Sequence, residues 1–179
     1  LLIHCGLNLI QAICHCLTML IFIDSTSSNK PFFLYYPSPI PHVSLQIPDS
    51  LLNQYKDQFD EKEYYGTQGY TAHQTPKAAY AAMITHLDYE VGKIWDAVKA
   101  RGQEDNTLIL FSSDNGPTFA GGVDAEYFNS AAGLRGLKMD VYEGGIRIPF
   151  IAYWRGKIQP GSVSDLVSGH WDMYNTFAE

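Results

Sequence analysis

Two hydrophobic rhythms run along the chain. From Lys77 onward Tyr80, Met83, Ile84, Leu87, Val91, Ile94, Trp95 and Val98 recur every three or four residues. That is the period of one helix face, and it predicts an amphipathic helix of about six turns. Arg101-Gly102 should end it, with a basic last turn and a glycine stop. Thr107-Leu108-Ile109-Leu110-Phe111-Ser112 is instead a short continuous apolar run, as expected for a central parallel strand covered on both faces. Pro31-Phe32-Phe33-Leu34-Tyr35-Tyr36 and Phe150-Ile151-Ala152-Tyr153-Trp154 read as further strands. Helix, short loop and buried strand make half of an α/β unit. The expected class is α/β, with a mostly parallel central sheet flanked by helices.

Residues 1–23 carry no charge, and Asp24 is the first charged position. A long uncharged run is formally a membrane-span candidate. Its polar residues His4, Asn8, Gln11, His15 and Thr18 fall on one helical stripe, which fits a helix packed in a protein core better. A cleavable leader fits worse, because there is no basic stretch and no small-residue cleavage site. The three cysteines, Cys5, Cys14 and Cys16, form no disulfide framework. Their spacing with His4 and His15 matches no zinc pattern, so buried thiols are expected. The chain thus divides into an apolar helix over 1–24 and a second unit over 25–179.

The intervening segments read as loops. Ser25 to Lys30 is a polar turn, and prolines 37, 39 and 41 stiffen a non-helical loop with His42 directly after it. Leu45 to Tyr70 reads as a long surface excursion, Gly121, Gly122, Gly133 and Gly136 as a flexible segment, and Ser164 to Glu179 as the start of a final helix.

Composition narrows the function classes. The 179 residues are 46% apolar and 17% charged, enough for a domain with a core and too apolar for a disordered chain. Twelve Lys and Arg against nineteen Asp and Glu give a net charge of −7. That balance argues against a nucleic-acid surface and against attraction to an anionic membrane. It does not exclude an anionic substrate, which a few local cations or a metal would hold.

The candidate chemistry sits where the second predicted strand ends, at Ser113-Asp114-Asn115-Gly116-Pro117. Ligands of open α/β sheets bind beyond the carboxyl ends of strands. Carboxylate and amide oxygens there suit a hard cation such as calcium, although Asp and Asn are also common in plain turns. Gly136-Leu137-Lys138 follows, then Glu143-Gly144-Gly145-Ile146-Arg147-Ile148-Pro149.

In their order and spacing four pieces resemble the sulfatase family of the alkaline-phosphatase-like superfamily, in particular arylsulfatases acting on carbohydrate or aryl sulfates. They are Pro31–Tyr36 leading to Pro41-His42, the helix from Tyr80 through Leu87-Asp88-Tyr89-Glu90-Val91-Gly92, Ser113-Asp114-Asn115-Gly116, and Gly136-Leu137-Lys138 running to Pro149. The resemblance covers roughly residues 20–179, and it implies a partial alkaline-phosphatase-like fold. It also implies that Asp114 and Asn115 are ligands of one calcium ion, and that Lys138 and His42 contact the sulfate as catalytic and substrate-binding residues. Glu143, the two glycines and Arg147 would shape the loop. Such enzymes are typically exported or lysosomal. The types suit the chemistry: a sulfate ester needs positive charge around its oxygens and a donor for the departing oxygen, which lysine and histidine supply.

The family's nucleophile is a formylglycine made within Cys or Ser, any residue, Pro, any residue, Arg. No cysteine or serine in the chain stands two positions before a proline. The family's N-terminal Asp pair has no counterpart before Asp24 either. The chain therefore reads as a portion of a sulfatase catalytic domain that does not hydrolyse sulfate esters alone. The alternatives are a non-catalytic fragment or pseudoenzyme and, more distantly, a phosphodiester or phosphonate hydrolase. Two-metal relatives of that last kind generally carry His where Asn115 stands.

Overall fold

A computed structural model of the chain describes residues 9–27 and 29–179, with side chains of the first helix from Cys16 onward. Helix α1 spans Leu9–Ser25 and packs on the long helix α3, Pro76–Ala100. It turns Cys16 and Ile23 into the interior and leaves Thr18 exposed. Of the predicted polar stripe, His4 and Asn8 lie outside the described residues, as does Cys5. The last carbonyls of α1 are capped from a distance. Arg101, just past the end of α3, donates from Nη1 to the Asp24 carbonyl at 3.1 Å and from Nη2 to the Thr26 carbonyl. A cationic side chain there satisfies carbonyls that have no partner inside the helix. No described helix is long and apolar enough to cross a membrane.

Helix α3 runs from Pro76 to Ala100. Proline at its first turn loses no hydrogen bond, and the free N–H groups of Lys77 and Ala78 meet the two oxygens of the Glu61 carboxylate at 3.0 and 2.8 Å. Arg101 follows as the cap, and Gly102 takes a left-handed φ of 64°, so both predicted ends hold. The buried face is rotated from the predicted one. Ala78, Ala79, Ala82, Met83 and Val98 are buried, whereas Ile84 is 42% exposed. Alanines let neighbouring backbone come close, and that space is filled by Ile40, Val43, Leu45, Ile47 and Val123.

Leu45 and Ile47 are therefore core residues, not the beginning of a surface excursion. Val43, Leu45 and Ile47 alternate with half-buried Ser44 and Gln46, the period of an extended segment lying on a core. Short helix α2, Asp49–Leu52, follows and also packs on α3.

The sheet is two-stranded. β1, Ile109–Ser112, pairs antiparallel with β2, Phe150–Tyr153, Ile109 facing Tyr153 and Ser112 facing Phe150. The expected parallel pairing of β1 is not formed among the described residues. An apolar run reports that a strand is covered, not the direction of its neighbour. Pro31–Tyr36 forms no strand either. Its residues alternate between exposed and half-buried, with Phe32, Leu34 and Tyr36 inward, but no ladder partner is present among the described residues. Short helix α4, Glu143–Ile146, precedes β2, and α5, Met173–Ala178, closes the chain after a single turn of 3-10 helix at His170–Asp172.

Candidate functional site

His42 and Lys138 are 96 residues apart in sequence, and the fold brings His42 Nε2 to 3.2 Å from Lys138 Nζ. The other imidazole nitrogen, Nδ1, lies 2.5 Å from the Val43 carbonyl oxygen. A carbonyl only accepts, so Nδ1 carries the proton. In the neutral ring Nε2 then offers its lone pair to the Lys138 ammonium.

Packing fixes this end of the pair. Val43 is 1% exposed and lies against Gly121, whose φ is +66°. A Cβ on Gly121 would fall 2.6 Å from Val43 Cγ1. A Cβ on Gly122 would fall 2.8 Å from Tyr64 Cβ. The predicted flexible segment is thus a tight one at Gly121 and Gly122, where glycine is needed for close approach.

Lys138 is held by its backbone, whose N–H donates to the Pro117 carbonyl at 2.8 Å. That carbonyl stands three positions after Asp114, so the lysine is tied to the strand-end loop. Two more bonds join the same segments: Gly116 N–H to the Gly145 carbonyl at 2.9 Å, and Gly144 N–H to the Arg135 carbonyl at 2.8 Å. A Cβ on Gly116 would land on the Gly144 carbonyl, one on Gly144 on the Gly136 carbonyl, and one on Gly145 on the Asp140 carbonyl. The paired glycines are buried because three stretches of backbone touch there. Beside them the exposed Glu143 and Arg147 pair at 3.0 Å across one turn of α4.

Asp114 is exposed, and its carboxylate has no hydrogen-bond or ion-pair partner among the described residues. Asn115 donates from Nδ2 to the Gly116 carbonyl at 2.8 Å, which leaves its amide oxygen available. Two adjacent oxygen donors match the preference of calcium, which takes about six to eight oxygens. Among the described residues no group of three or more His, Cys, Asp or Glu could hold a metal ion. The two oxygens fit calcium in kind and would supply only part of a shell. His170 supports the strand end: its Nε2 lies 3.2 Å from Ser112 Oγ, which donates to the Pro149 carbonyl at 3.0 Å.

Two open hollows flank Leu137, one lined in part by Gln68, Lys77, Phe119 and Asp124, the other by Asn129 and Leu134. Neither is lined by His42 or Lys138; His42 is exposed and Lys138 half-buried.

A third cluster was not anticipated. Glu90 of α3 is 1% exposed. Its Oε2 accepts from the Tyr36 hydroxyl at 3.0 Å and the Ser38 hydroxyl at 3.3 Å, and its Oε1 is 3.5 Å from His86 Nε2. Burial, and then the Glu90 charge, push the Tyr36 phenol and the Cys16 thiol up. The signal was present: Glu90 interrupts the apolar stripe between Leu87 and Ile94, and an acidic residue there must find partners. His73, before α3, accepts the Thr75 N–H at Nδ1, 3.1 Å away. Burial pulls its pKa down, against a weaker upward pull from Glu61.

The sulfatase family model matches residues 16–179. The chain belongs to the sulfatase family. It is 35% identical over 148 residues to the uncharacterized sulfatase YdeN of Escherichia coli K12, covering 83% of this chain and 23% of that protein. It is 32% identical over 146 residues to an N-acetylgalactosamine-6-O-sulfatase of Bacteroides thetaiotaomicron, covering 78% of this chain and 25% of the relative. The crystal structure of Ps i-CgsB superposes with a TM-score of 0.66 at 30% identity, over 84% of this chain and 29% of that one. This sulfatase chain thus spans about a quarter of the length of the curated relatives it matches. Its mixed helix and small sheet are part of the alkaline-phosphatase-like α/β fold.

Proposed function

We propose that this chain carries the sulfate-contacting side of a sulfuric ester hydrolase, with Lys138 and His42 as the substrate-binding and catalytic residues. The observation that supports it most is the 3.2 Å approach of Lys138 Nζ to His42 Nε2, on a lysine whose backbone is bonded to the Asp114–Pro117 loop. An ammonium and an imidazole edge at one point form an anion contact with a built-in proton site. Lys138 places a compact positive charge where charge builds on the sulfate oxygens. His42, once Nε2 is protonated, points a donor at the departing ester oxygen. Asp114 and Asn115 would hold a calcium ion by their side-chain oxygens, and that ion would supply further positive charge to the sulfate.

The substrate class is a sulfate ester of a carbohydrate or an aryl alcohol, and the N-acetylgalactosamine-6-O-sulfatase relative favours the carbohydrate. The 179 residues contain no Cys or Ser followed by x-Pro-x-Arg, so the nucleophile is missing from this chain and it does not turn over alone. The test is incubation of the purified chain with 4-nitrophenyl sulfate, together with inorganic sulfate binding by calorimetry. The expected result is no nitrophenol release and sulfate binding that weakens about tenfold or more in Lys138→Met. Sustained turnover would refute the inactivity. Sulfate binding indifferent to Lys138 would refute the site, and preferential binding of inorganic phosphate would favour the phosphodiester reading.

A further inference from the structure

The chain's most buried carboxylate lies outside the sulfate-contacting pair yet is wired to it. Glu90 Oε2 accepts the hydroxyls of Tyr36 and Ser38. Ser38 Oγ in turn accepts the Ile40 N–H at 3.3 Å, and the His42 N–H donates to the Pro39 carbonyl at 2.8 Å. Prolines 37, 39 and 41 lie between these anchors and stiffen the span, because each fixes its own φ and restricts the residue before it. A bond at one end of such a loop therefore sets the position of the other. Past His42 the chain is pinned by Val43 in the core against α3. The loop bearing His42 is thus fixed to α3 at two points, one apolar and one through Glu90.

We infer that Glu90 is a positioning residue for His42: by holding Tyr36 and Ser38 it fixes the loop so that Nδ1 meets the Val43 carbonyl and Nε2 faces Lys138. A core position otherwise flanked by Leu87, Val91 and Ile94 would be occupied more simply by a leucine. A buried carboxylate costs free energy unless it is partnered; His86 lies at its Oε1, and both hydroxyls on its Oε2 belong to the segment that leads to His42. The inference rests on the reading of His42 and Lys138 as the sulfate contact only for its catalytic consequence. The geometry it asserts is testable separately.

The experiment reads the imidazole of His42 by nitrogen-15 NMR on the 179-residue chain, in the native sequence and in Glu90→Leu, Glu90→Gln and Ser38→Ala, with thermal melting as the check on folding. In the native chain His42 should show the Nδ1–H tautomer. Ser38→Ala and Glu90→Leu should shift it toward a mixture with the Nε2–H tautomer and weaken inorganic sulfate binding about tenfold. Glu90→Gln keeps an acceptor oxygen and should restore the native signature. If Glu90→Leu does not fold, Ser38→Ala, which deletes a single hydroxyl, decides alone. An unchanged His42 tautomer in folded variants overturns the inference. If no variant and not even the native chain binds sulfate, while the tautomer responds as expected, the positioning role stands and the functional reading falls.

Discussion

Lys138 Nζ lies 3.2 Å from His42 Nε2, and the opposite nitrogen of the same ring is bonded to the Val43 carbonyl. This arrangement gives the imidazole one defined tautomer and one defined face. Each residue reaches it by a different route. Lys138 arrives through backbone bonds among Gly116, Pro117, Gly144 and Gly145, and His42 through a proline loop tied to α3.

If the glycine weave positions Lys138, Gly144→Ala should be strongly disruptive. Its new methyl would fall on the Gly136 carbonyl, which is backbone and has nowhere to go. Overpacking of this kind costs about 1–3 kcal/mol or more. Gly92→Ala is the contrast: it sits inside α3 with nothing within 4 Å of the added carbon, and should stabilise by about 0.5–1 kcal/mol. Opposite shifts in denaturant midpoint between the two variants are expected.

Acid should loosen the start of α3 through His73. Its folded pKa lies below the ordinary value, mainly through burial. Between that lowered pKa and the unfolded value of about 6.5 the unfolded chain binds more protons, so stability falls as pH falls. The contribution is complete above about pH 6.5 and is lost below it. Protonation of Nδ1 also removes the acceptor for the Thr75 N–H. His73→Gln should flatten the decline in melting temperature between neutral and mildly acidic pH.

Tyr36→Phe tests the Glu90 cluster in the other direction. It removes a hydrogen bond to a buried carboxylate, which should cost about 1–3 kcal/mol near neutral pH. The native phenol has its folded pKa raised, by burial and by Glu90. Above about pH 10 the unfolded chain releases that proton first, so the native protein loses stability as pH climbs. The variant lacks that loss. Unfolding curves should differ at pH 7 and converge at strongly alkaline pH.

Local regularities were legible in the sequence where the structure depends on local rules. The limits of α3 followed from period and stop signals, and β1 and β2 from apolar runs at 107–112 and 150–154. The meeting of His42 and Lys138 was implied by family resemblance, not by spacing, since nothing in either segment specifies a partner 96 residues away. What escaped was set by tertiary contact. The direction of the β1 neighbour is a property of the pair. Leu45 and Ile47 are core residues inside the stretch 45–70, whose many polar positions give it the character of a surface excursion. Glycines 121 and 122 read as freedom and proved to be close contact, since glycine serves both ends.

The most direct measurement is a titration of the 179-residue chain with inorganic sulfate, observed at the His42 imidazole nitrogens in the native sequence and in Lys138→Met. Saturable shifts at His42 are expected in the native chain, weakened about tenfold or more by Lys138→Met. His42 signals that do not respond to sulfate, or respond equally with and without Lys138, would contradict the reading of the pair as the sulfate contact.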